Sequence, residues 1–328
     1  MGERPITNRK VLITGGMGYV GGRMAVYLTE SRPEISLRIM TRRPAERWPE
    51  WAGDLDVVNA DVLDSPSLNA ALGDVDTVIH LAAIGENDCV RDPDLALEVN
   101  GRGTHLLLQA CREQNVNRII YFSTFHVYGP QAAQPITEMT ATRPVHPYAF
   151  THRLAEDYVN WFRLRDKMET MIVRLSNGFG YPADTLTNRW TLVFNDMCTQ
   201  AVESGEVRLR SKGTQHRDFI TLGDVARGTE HLLSLGSDDW GDGLLNLGGD
   251  CSLSIYQAAE HVAAVYQEMY GKELHIRVGD ADDPAGAGPV RFSIEKLKET
   301  GFTLKGDISG EVKGTLAVCQ ELADQKVK

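Results

Sequence analysis

Residues 10–23 read KVLITGGMGYVGGR, and this stretch decides the fold. Residues 11–13 form a short apolar run of the kind found in buried parallel strands. Five glycines follow between positions 15 and 22, and the apolar spacing after them predicts a helix over residues 19–31. A strand, a glycine turn and a helix N-terminus form an anion site, because unpaired backbone N–H groups and the positive end of the helix dipole point at one spot.

Two registers of this stretch fit a dinucleotide-binding loop. Gly16, Gly18 and Gly21 match G-x-G-x-x-G, whereas Gly15, Gly18 and Gly21 match T-G-x-x-G-x-x-G. Glycine lets the backbone approach a pyrophosphate with no side chain in between. The alternative, an ordinary turn, is disfavoured because a predicted strand precedes the loop and a predicted helix follows it. The residues predicted to contact the dinucleotide here are Gly15, Gly18, Tyr19, Val20 and Gly21.

Strand-like and helix-like segments then alternate along the chain. Strands are predicted at residues 36–40, 55–59, 77–81, 118–122 and 170–175. Helices are predicted at residues 65–72, 92–114 and 148–165. Such alternation predicts an α/β protein with a doubly wound parallel sheet of the Rossmann type, and we assign residues 1–175 to this dinucleotide-binding domain.

Past residue 175 the strict alternation is lost. Residues 176–190 read as a loop, and helices and strands follow in mixed order. The helices are predicted at 191–204, 222–235, 254–270 and 308–322, the strands at 207–210, 216–220 and 244–247, and a flexible acidic loop at 280–289. We expect residues 176–215 and 241–328 to form a smaller C-terminal α/β substrate-binding domain, with residues 216–240 returning to the first domain.

The composition of the chain indicates which partners it can bind and in which cellular compartment we expect it. The 328 residues carry a formal net charge of −11, which argues against nucleic acid or an anionic membrane as a partner but leaves room for a local basic pocket. No apolar run approaches the ~20 residues that span a bilayer, and the start MGERPITNR lacks the apolar region of a signal peptide. The five cysteines are scattered without a C-x-x-C pair, as in reduced proteins. We therefore expect a cytoplasmic protein with neither nucleic acid nor membrane among its partners.

The end of the second predicted strand bears on the type of dinucleotide. An acid there would bind the adenosine ribose 2′-OH, whereas an arginine would accept a 2′-phosphate. This chain has Thr41, Arg42 and Arg43 at that point and no acid. The alternative is that both arginines are solvated loop residues. The sequence therefore favours NADP over NAD as the cofactor.

Three side chains suit proton and hydride chemistry at a carbonyl or hydroxyl group. Tyr148 can move the proton if a nearby positive charge lowers its pKa, which is about 10 when unperturbed. Thr124 follows the fifth predicted strand and offers a hydroxyl that orients the reacting oxygen. His152 lies four residues after Tyr148, on the same face of the predicted helix. We predict that these three residues form the catalytic group.

The chain resembles an extended short-chain dehydrogenase/reductase of the NAD(P)-dependent nucleotide-sugar epimerase/dehydratase/reductase family. The matching segments cover roughly residues 10–235 in family order, and the C-terminal third matches only loosely. They are TGGMGYVGG (14–22), NADV (59–62), HLAA (80–83), VNGRGT (99–104), STFHVYG (123–129), YAFTHRLAE (148–156), RLSNGFG (174–180) and HRDFITLGDVARG (216–228).

The resemblance implies further roles along the chain. Around the cofactor, contacts are implied for Asp61, Val62, Leu81, Ala82 and Ala83. Around the substrate, they are implied for Ser123, His126, Asn177 and Arg217. Arg217 would hold the pyrophosphate of a nucleotide sugar, and the alternative is a salt bridge with Asp218 or Asp224. The family also implies a homodimer built on the helices at 92–114 and 148–165.

Several departures from the family pattern narrow the prediction. His152 stands where the family has the lysine of Y-x-x-x-K, which lowers the pKa of the tyrosine and holds the nicotinamide ribose, and histidine is mostly neutral at pH 7. Phe125 and His126 replace the Asp-Glu pair of the dehydratases, which argues against 4,6-dehydration.

The loop at 280–289 lacks the family's phosphate-binding arginine, for which Arg291 is a candidate substitute. His126, His146 and His152 have no metal-ligand spacing, so no metal is predicted.

Together these features predict NAD(P)-dependent oxidoreduction or epimerisation of a nucleotide-activated sugar. A 4-epimerase and a keto-sugar reductase both fit. Because His152 replaces the family lysine, a cofactor-binding protein with altered or lost turnover is the alternative.

Overall fold

The computed structural model describes residues 9–130, 132–282 and 288–327. Its strands are β1 (Lys10–Thr14), β2 (Ser36–Thr41), β3 (Asp56–Asn59), β4 (Thr77–His80), β5 (Arg118–Thr124), β6 (Glu169–Leu175), β7 (Asn177–Phe179), β8 (Glu206–Arg208), β9 (His216–Thr221), β10 (Leu244–Leu247), β11 (Ser252–Ser254) and β12 (His275–Arg277). Seven of them form a parallel sheet in the order β10-β6-β5-β4-β1-β2-β3. This order contains the 3-2-1-4-5-6 arrangement of a Rossmann fold, so the predicted fold class is confirmed.

Helices cover both faces of the sheet. They are α1 (Tyr19–Ser31), α2 (Ser65–Ala71), α3 (Glu86–Arg91), α4 (Pro93–Ala96), α5 (Gly103–Glu113), α6 (Pro147–Asp166), α7 (Val193–Ser204), α8 (Leu222–Ser234), α9 (Ile255–Tyr270), α10 (Glu295–Lys298) and α11 (Ile308–Val327). Val11 and Ile13 of β1 pack into one hydrophobic core and Leu12 into another, because successive side chains of a strand point to opposite faces. Both faces are therefore buried, which explains the unbroken apolar runs of the strands.

The helix predicted over 92–114 is interrupted. Between α4 and α5 lies a π-helical segment, Leu97–Arg102, in which the N–H of Gly103 donates to the carbonyl oxygen of Glu98. Each such bond reaches one residue farther back than in an α-helix, so the segment holds an extra residue in its turn. The apolar periodicity of the sequence gave no sign of this widening.

The second half of the chain builds two small sheets. One has the order β11-β9-β7 and the other pairs β12 with β8. β7 lies within residues 176–190, where the prediction of a loop is wrong, because β9 provides it with a parallel neighbour. These sheets pack with α7, α9 and α11 around a third hydrophobic core.

The two predicted domains share elements. β10 is the last strand of the main sheet, although it lies in the range 241–328 that the sequence analysis assigned to the second domain. The division into domains otherwise stays a prediction, and the loop expected at 280–289 lies partly outside the described residues. Within the described part of the chain, no helix combines the length and the apolar character needed to cross a bilayer.

Candidate active site

A cleft of about 910 Å³ lies at the carboxyl ends of the parallel strands. It runs from the end of β2, past β1, β4 and β5, to the second half of the chain, and its volume is near the upper end of the ~300–1,000 Å³ typical of ligand sites. Of the residues that the structure describes, two acids and six arginines line it, so this part of the lining is basic although the whole chain is acidic. Such a cleft suits ligands that carry phosphate groups. The six arginines are Arg42, Arg43, Arg189, Arg208, Arg210 and Arg217.

The glycine loop between β1 and α1 fits a diphosphate. Gly15 has a φ of +66°, and a Cβ there would lie 3.0 Å from the backbone nitrogen of Ala82. A Cβ at Gly21 would collide with the carbonyl oxygen of Gly15, so only glycine lets α1 pack this close to the loop. α1 begins after Gly18 with no side-chain cap and no acid in its first turn, which leaves its first N–H groups for a ligand. The cleft lining includes Gly15, Gly18, Tyr19, Val20 and Gly21.

At the end of β2 the two arginines have different partners. Arg42 is largely exposed, and its guanidinium lies 3.6 Å from the carboxylate of Asp61. Arg43 is mostly shielded from solvent, forms an ion pair with Asp184 and donates to the carbonyl oxygen of Met17 at 3.2 Å. The sequence analysis treated both arginines as free, but one of them is neutralised by an acid from a distant part of the chain.

The two residues expected to contact adenine behave differently. Val62 lines the cleft, whereas Asp61 is not among the described residues that do so. The carboxylate of Asp61 instead accepts from the backbone N–H of Leu63 at 2.9 Å and faces Arg42. The carboxylate of Asp61 therefore stabilises the turn that it forms with Leu63. The other expected cofactor contacts that line the cleft are Thr41, Arg42, Arg43, Leu81, Ala82 and Ala83.

A line of buried hydrogen bonds fixes the ends of β1 and β4 beneath the cleft. The Thr104 hydroxyl donates to the carbonyl oxygen of Asn100 at 2.6 Å, so its oxygen accepts from Nε2 of His80 at 3.0 Å. Nδ1 of His80 therefore accepts from the hydroxyl of Thr14 at 2.7 Å, whose oxygen in turn accepts from the next two N–H groups after β4. Burial lowers the pKa of His80 to about 3, so this histidine is a neutral structural link.

Asn100 lies in the π-helical segment and joins two parts of the site. Its Oδ1 accepts from the backbone N–H of Ile84 at 2.9 Å, and its Nδ2 donates to the hydroxyl of Thr151 in α6 at 3.1 Å. The amide therefore ties the loop after β4 to the helix that carries Tyr148. This contact agrees with a structural role near the site.

Tyr148 is close to the start of α6 and faces Thr124 at the end of β5. Burial raises the pKa of Tyr148 to about 12, although the positive charge of Arg189 and a hydrogen bond with Thr124 oppose the rise. The phenol is therefore protonated at neutral pH. Thr124 is buried, and its hydroxyl oxygen accepts from the backbone N–H of His126 at 3.3 Å. The structure brings the two predicted side chains together.

His152 is also buried, one helical turn after Tyr148, and the two rings meet edge-on with centroids 4.4 Å apart. Its Nδ1 is 2.7 Å from the hydroxyl of Tyr121, while its Nε2 has no partner among the described residues. The arrangement with the fewest unmet donors and acceptors in total has Tyr121 donating to Nδ1, which places the proton of the ring on Nε2. Burial lowers the pKa of His152 to about 3, so it is neutral and cannot supply the charge of a lysine.

His126, His146 and Glu86 group together beside Tyr148. The rings of His126 and His146 lie 5.1 Å apart, and burial lowers the pKa of His126 to about 4. The candidate ligand atoms of the three residues lie within 4.8 Å of one another. Nδ1 of His146 accepts from the N–H of Ala149 at 3.4 Å, and its Nε2 lies 3.8 Å from the carboxylate of Glu86. We use no metal in the proposed function.

Ser123, expected beside the substrate, turns its hydroxyl into the interior instead. It donates to Oε1 of Glu156 at 2.6 Å, and Glu156 forms two hydrogen bonds with the guanidinium of Arg174, at 2.9 and 2.7 Å. This buried ion pair joins β5, α6 and β6 beneath the site. Ser123 lines the cleft together with Thr124, but its hydroxyl is already bonded to Glu156.

The far end of the cleft contains Asn177 and Arg217. Nδ2 of Asn177 donates to the backbone carbonyl oxygen of Asp218 at 2.8 Å, which leaves its amide oxygen for a ligand. Arg217 lies on β9, where burial lowers the pKa of its guanidinium, and it donates to the amide oxygen of Gln215 at 3.3 Å.

Arg217 does not form either of the salt bridges that the sequence left open. Asp218 accepts from two backbone N–H groups, and Asp224 pairs with Arg227. Within residues 9–130, 132–282 and 288–327, no carboxylate pairs with Arg217, Arg189 or Arg210. These three cations line the same cleft.

Sequence reasoning missed four residues of the cleft and its surroundings: Arg189, Arg210, Tyr121 and Asp184. The first two line the far end and come from segments without a recognised motif. The candidate substitute for the missing loop arginine, Arg291, is exposed and is not among the described residues that line the cleft. An arginine that lies near Tyr148 only in the folded protein leaves no pattern of spacing, so only the tertiary structure could reveal this group.

Fold and site together define a dinucleotide-binding protein of the Rossmann type, in which the cleft continues into a second basic end. A sequence model of the NAD dependent epimerase/dehydratase family matches residues 11–248. The chain belongs to this family of enzymes, and its resemblance to the extended short-chain dehydrogenases/reductases is confirmed.

Individual relatives extend over most of the chain. The UDP-glucose 4-epimerase of Halalkalibacterium halodurans is 30% identical over 270 residues, which cover 76% of this chain and 78% of the relative. The dTDP-D-glucose 4,6-dehydratase of Mus musculus is 27% identical over 278 residues, covering 79% and 74%. The solved structure of UDP-N-acetylglucosamine 4-epimerase from Methanobrevibacter ruminantium M1 has a TM-score of 0.81 at 21% identity, covering 97% and 99%, and at that identity it shows the fold.

Proposed function

We propose that this protein carries out NAD(P)-dependent oxidoreduction or epimerisation of a nucleotide-activated sugar, as a 4-epimerase or a keto-sugar reductase. The observation that carries the proposal is the layout of the cleft: a glycine loop at one end, arginines without carboxylate partners at the other, and Tyr148 between them. A dinucleotide and a nucleotide sugar each contain a diphosphate, so two anion sites on either side of an acid–base group suit this pair of ligands. When bound, the nicotinamide supplies the acceptor and donor of the hydride.

Tyr148 is the proton carrier in this proposal. With a pKa of about 12 it is protonated at neutral pH, so it is ready to give a proton to a carbonyl oxygen as that carbon is reduced. In the oxidative direction it must first become a phenolate, and this direction therefore speeds up as the pH rises. Arg189 favours the phenolate electrostatically, and the hydroxyl of Thr124 orients the reacting oxygen.

His152 takes over one of the two roles of the family lysine. Its Nε2 is buried at the wall of the cleft and has no hydrogen-bond partner in the described part of the chain, and we propose that it contacts a ribose hydroxyl. Tyr121 holds the ring in the orientation that presents this atom. The other role of the lysine is to lower the pKa of Tyr148, and a neutral imidazole cannot do this. The positive charge of Arg189 is the substitute.

The substrate end suits a sugar nucleotide but not 4,6-dehydration. Arg217 with Arg189 and Arg210 would bind its diphosphate, while Asn177 and His126 contact the sugar. The positions after Thr124 offer an apolar ring and a neutral imidazole, so neither carboxylate of the dehydratases is present. We therefore favour epimerase or reductase chemistry, although dehydratases are among the relatives.

We further propose that the protein is a homodimer. Phe150, Trp161 and Leu164 are exposed large apolar side chains on α6, and their spacing of 11 and 3 residues places them on one face of the helix. Val90 and Leu95 extend this apolar surface near the preceding helices. An exposed apolar face of this kind marks an interface, and it coincides with the helices that the family resemblance implied.

A second candidate function is a dinucleotide-binding protein that has lost turnover. The neutral state of His152 and the high pKa of Tyr148 favour it. The two candidates differ in what happens when a substrate is added to protein that holds its cofactor.

The test is to incubate the purified protein with NAD or NADP and a panel of UDP- and dTDP-hexoses, following nicotinamide absorbance and the sugar by proton NMR. An epimerase should convert the sugar at its reacting carbon with no net change in free nicotinamide. A reductase should oxidise NAD(P)H in proportion to the keto-sugar supplied. Cofactor binding without either change, across pH 6 to 10, would refute the enzyme proposal in favour of the second candidate.

A further inference from the structure

The segment after β7, residues 180–186, crosses over the N-terminal turn of α1, and we call it the strap. The hydroxyl of Tyr19 donates to the carbonyl oxygen of Gly180 at 2.6 Å. Nη1 of Arg23 donates to the carbonyl oxygen of Tyr181 at 2.9 Å. A Cβ at Gly22 would lie 3.3 Å from the Cβ of Ala183, so the strap packs directly against the helix. It therefore joins the second half of the chain to the glycine loop.

The strap ends at the adenosine side of the cleft, where Asp184 meets Arg43. The side chains are 9% and 16% exposed, so the ion pair is largely removed from solvent. The other oxygen of Asp184 accepts from the backbone N–H of Leu186 at 3.0 Å, and Arg43 also donates to the carbonyl oxygen of Met17. Each partner is thus held in place by a further hydrogen bond in addition to the ion pair.

This ion pair limits how well the arginines at the end of β2 can bind a 2′-phosphate. A 2′-phosphate at that point would need to take Arg43 from Asp184, which would leave a shielded carboxylate without its cation. If it did not displace the pair, it would lie close to a second negative charge. Arg42 remains, but it is largely exposed and already faces Asp61. A cation in open solvent beside an acid is a weak phosphate site.

We propose that Asp184 sets the cofactor preference of this protein, by holding Arg43 and thereby favouring NAD over NADP. The proposal rests on the proposed binding of a nicotinamide dinucleotide at the glycine loop. It reverses the preference that Thr41, Arg42 and Arg43 suggested from sequence, because that preference took Arg43 to be free. The acid that pairs with Arg43 comes from the strap, 141 residues farther along the chain.

The test is the affinity of the full-length protein for NAD⁺ and NADP⁺, measured by isothermal titration in wild type, Asp184→Asn and Asp184→Asn with Arg43→Ala. Asparagine keeps an acceptor for the N–H of Leu186 but removes the charge. We expect wild type to bind NAD⁺ more tightly. In Asp184→Asn, we expect NADP⁺ affinity to rise roughly 10-fold, as for one released charge-assisted contact, with NAD⁺ affinity changed less than about 3-fold. The added Arg43→Ala change should abolish the gain.

Asp196→Asn is the matched control, because Asp196 is an acid in the lining of the same cleft and accepts from Gln200. It should leave the ratio of the two affinities unchanged. A wild-type preference for NADP⁺, an unaltered ratio in Asp184→Asn, or an equal shift in Asp196→Asn would each overturn the role of Asp184. Failure of the wild type to bind either dinucleotide would instead refute the proposed function, and the inference that rests on it.

Discussion

The two ends of the cleft are built in opposite ways. The glycine-loop end comes mainly from one continuous stretch, residues 10–23, and its geometry depends on backbone that only glycine permits. The far end is assembled from side chains on three separate segments, around Arg189, Arg210 and Arg217. The first kind of site leaves a pattern in the sequence, whereas the second depends on tertiary packing. Four variants, one of them double, test whether the ends act as separate binding sites on either side of one acid–base group.

The largest effect on turnover is expected at Tyr148, which lies between the two ends of the cleft. Tyr148→Phe should lower kcat about 10²–10⁴-fold, the usual contribution of a general acid–base group, because the proton can no longer be moved. Cofactor affinity and substrate affinity should stay within about 3-fold of wild type, since the ring and its packing are kept. Steady-state kinetics and titration with NAD⁺ check this. Turnover close to wild type would remove Tyr148 from its role.

Arg217→Gln should affect the far end alone. Loss of a charged hydrogen bond costs about 1.5–3 kcal/mol, so the Kd for a UDP-hexose should rise about 10–150-fold. The Kd for NAD⁺ should be unchanged. Arg208→Gln is the matched control, because Arg208 also lines the cleft but is exposed and paired with Glu206. If Arg208→Gln weakened the sugar nucleotide as much as Arg217→Gln, the site would be a diffuse basic surface rather than a set of unpaired cations.

His152→Lys is expected to change the pH dependence of the reaction through the pKa of Tyr148. Rate in the oxidative direction rises with pH below the pKa of Tyr148, which is about 12 in the absence of ligands. A lysine cation beside the phenol should lower this pKa and move the profile toward acid by roughly 1–3 pH units. His152→Gln, which adds no charge, is the control and should leave the midpoint in place. An unshifted profile in a folded His152→Lys protein would mean that the charge at this position does not govern Tyr148.

The smallest effect is expected for the affinity of the two dinucleotides when Arg42 and Arg43, beside the glycine loop, are replaced. The double variant Arg42→Ala with Arg43→Ala should weaken NADP⁺ about 5–10-fold more than NAD⁺, because it removes the exposed cation at Arg42 and leaves the carboxylate of Asp184 unpaired near a 2′-phosphate. Sugar-nucleotide affinity should not change. Equal losses for the two dinucleotides, measured by titration, would show that these arginines support the loop rather than recognise the phosphate.

The sequence predicted the sheet, the glycine loop and the pairing of Thr124 with Tyr148, because each is encoded by local periodicity or by a short motif. It did not predict where side chains between these motifs would point. Asp61 was expected at adenine and caps its own turn, and Ser123 was expected at the substrate and donates to Glu156. The Arg43–Asp184 pair joins residues 141 apart in the chain, and such pairs cannot be read from spacing.

The widened turn at Leu97–Arg102 places a constraint on insertions and deletions rather than on composition. Each α-helical residue advances about 100° around the axis, so losing one residue here would restore regular hydrogen bonding while swinging Asn100 away from Ile84 and Thr151. A better-formed helix would then leave the loop after β4 and the start of α6 unconnected. Substitutions at the exposed positions of this turn should be tolerated, whereas any change in its length should not.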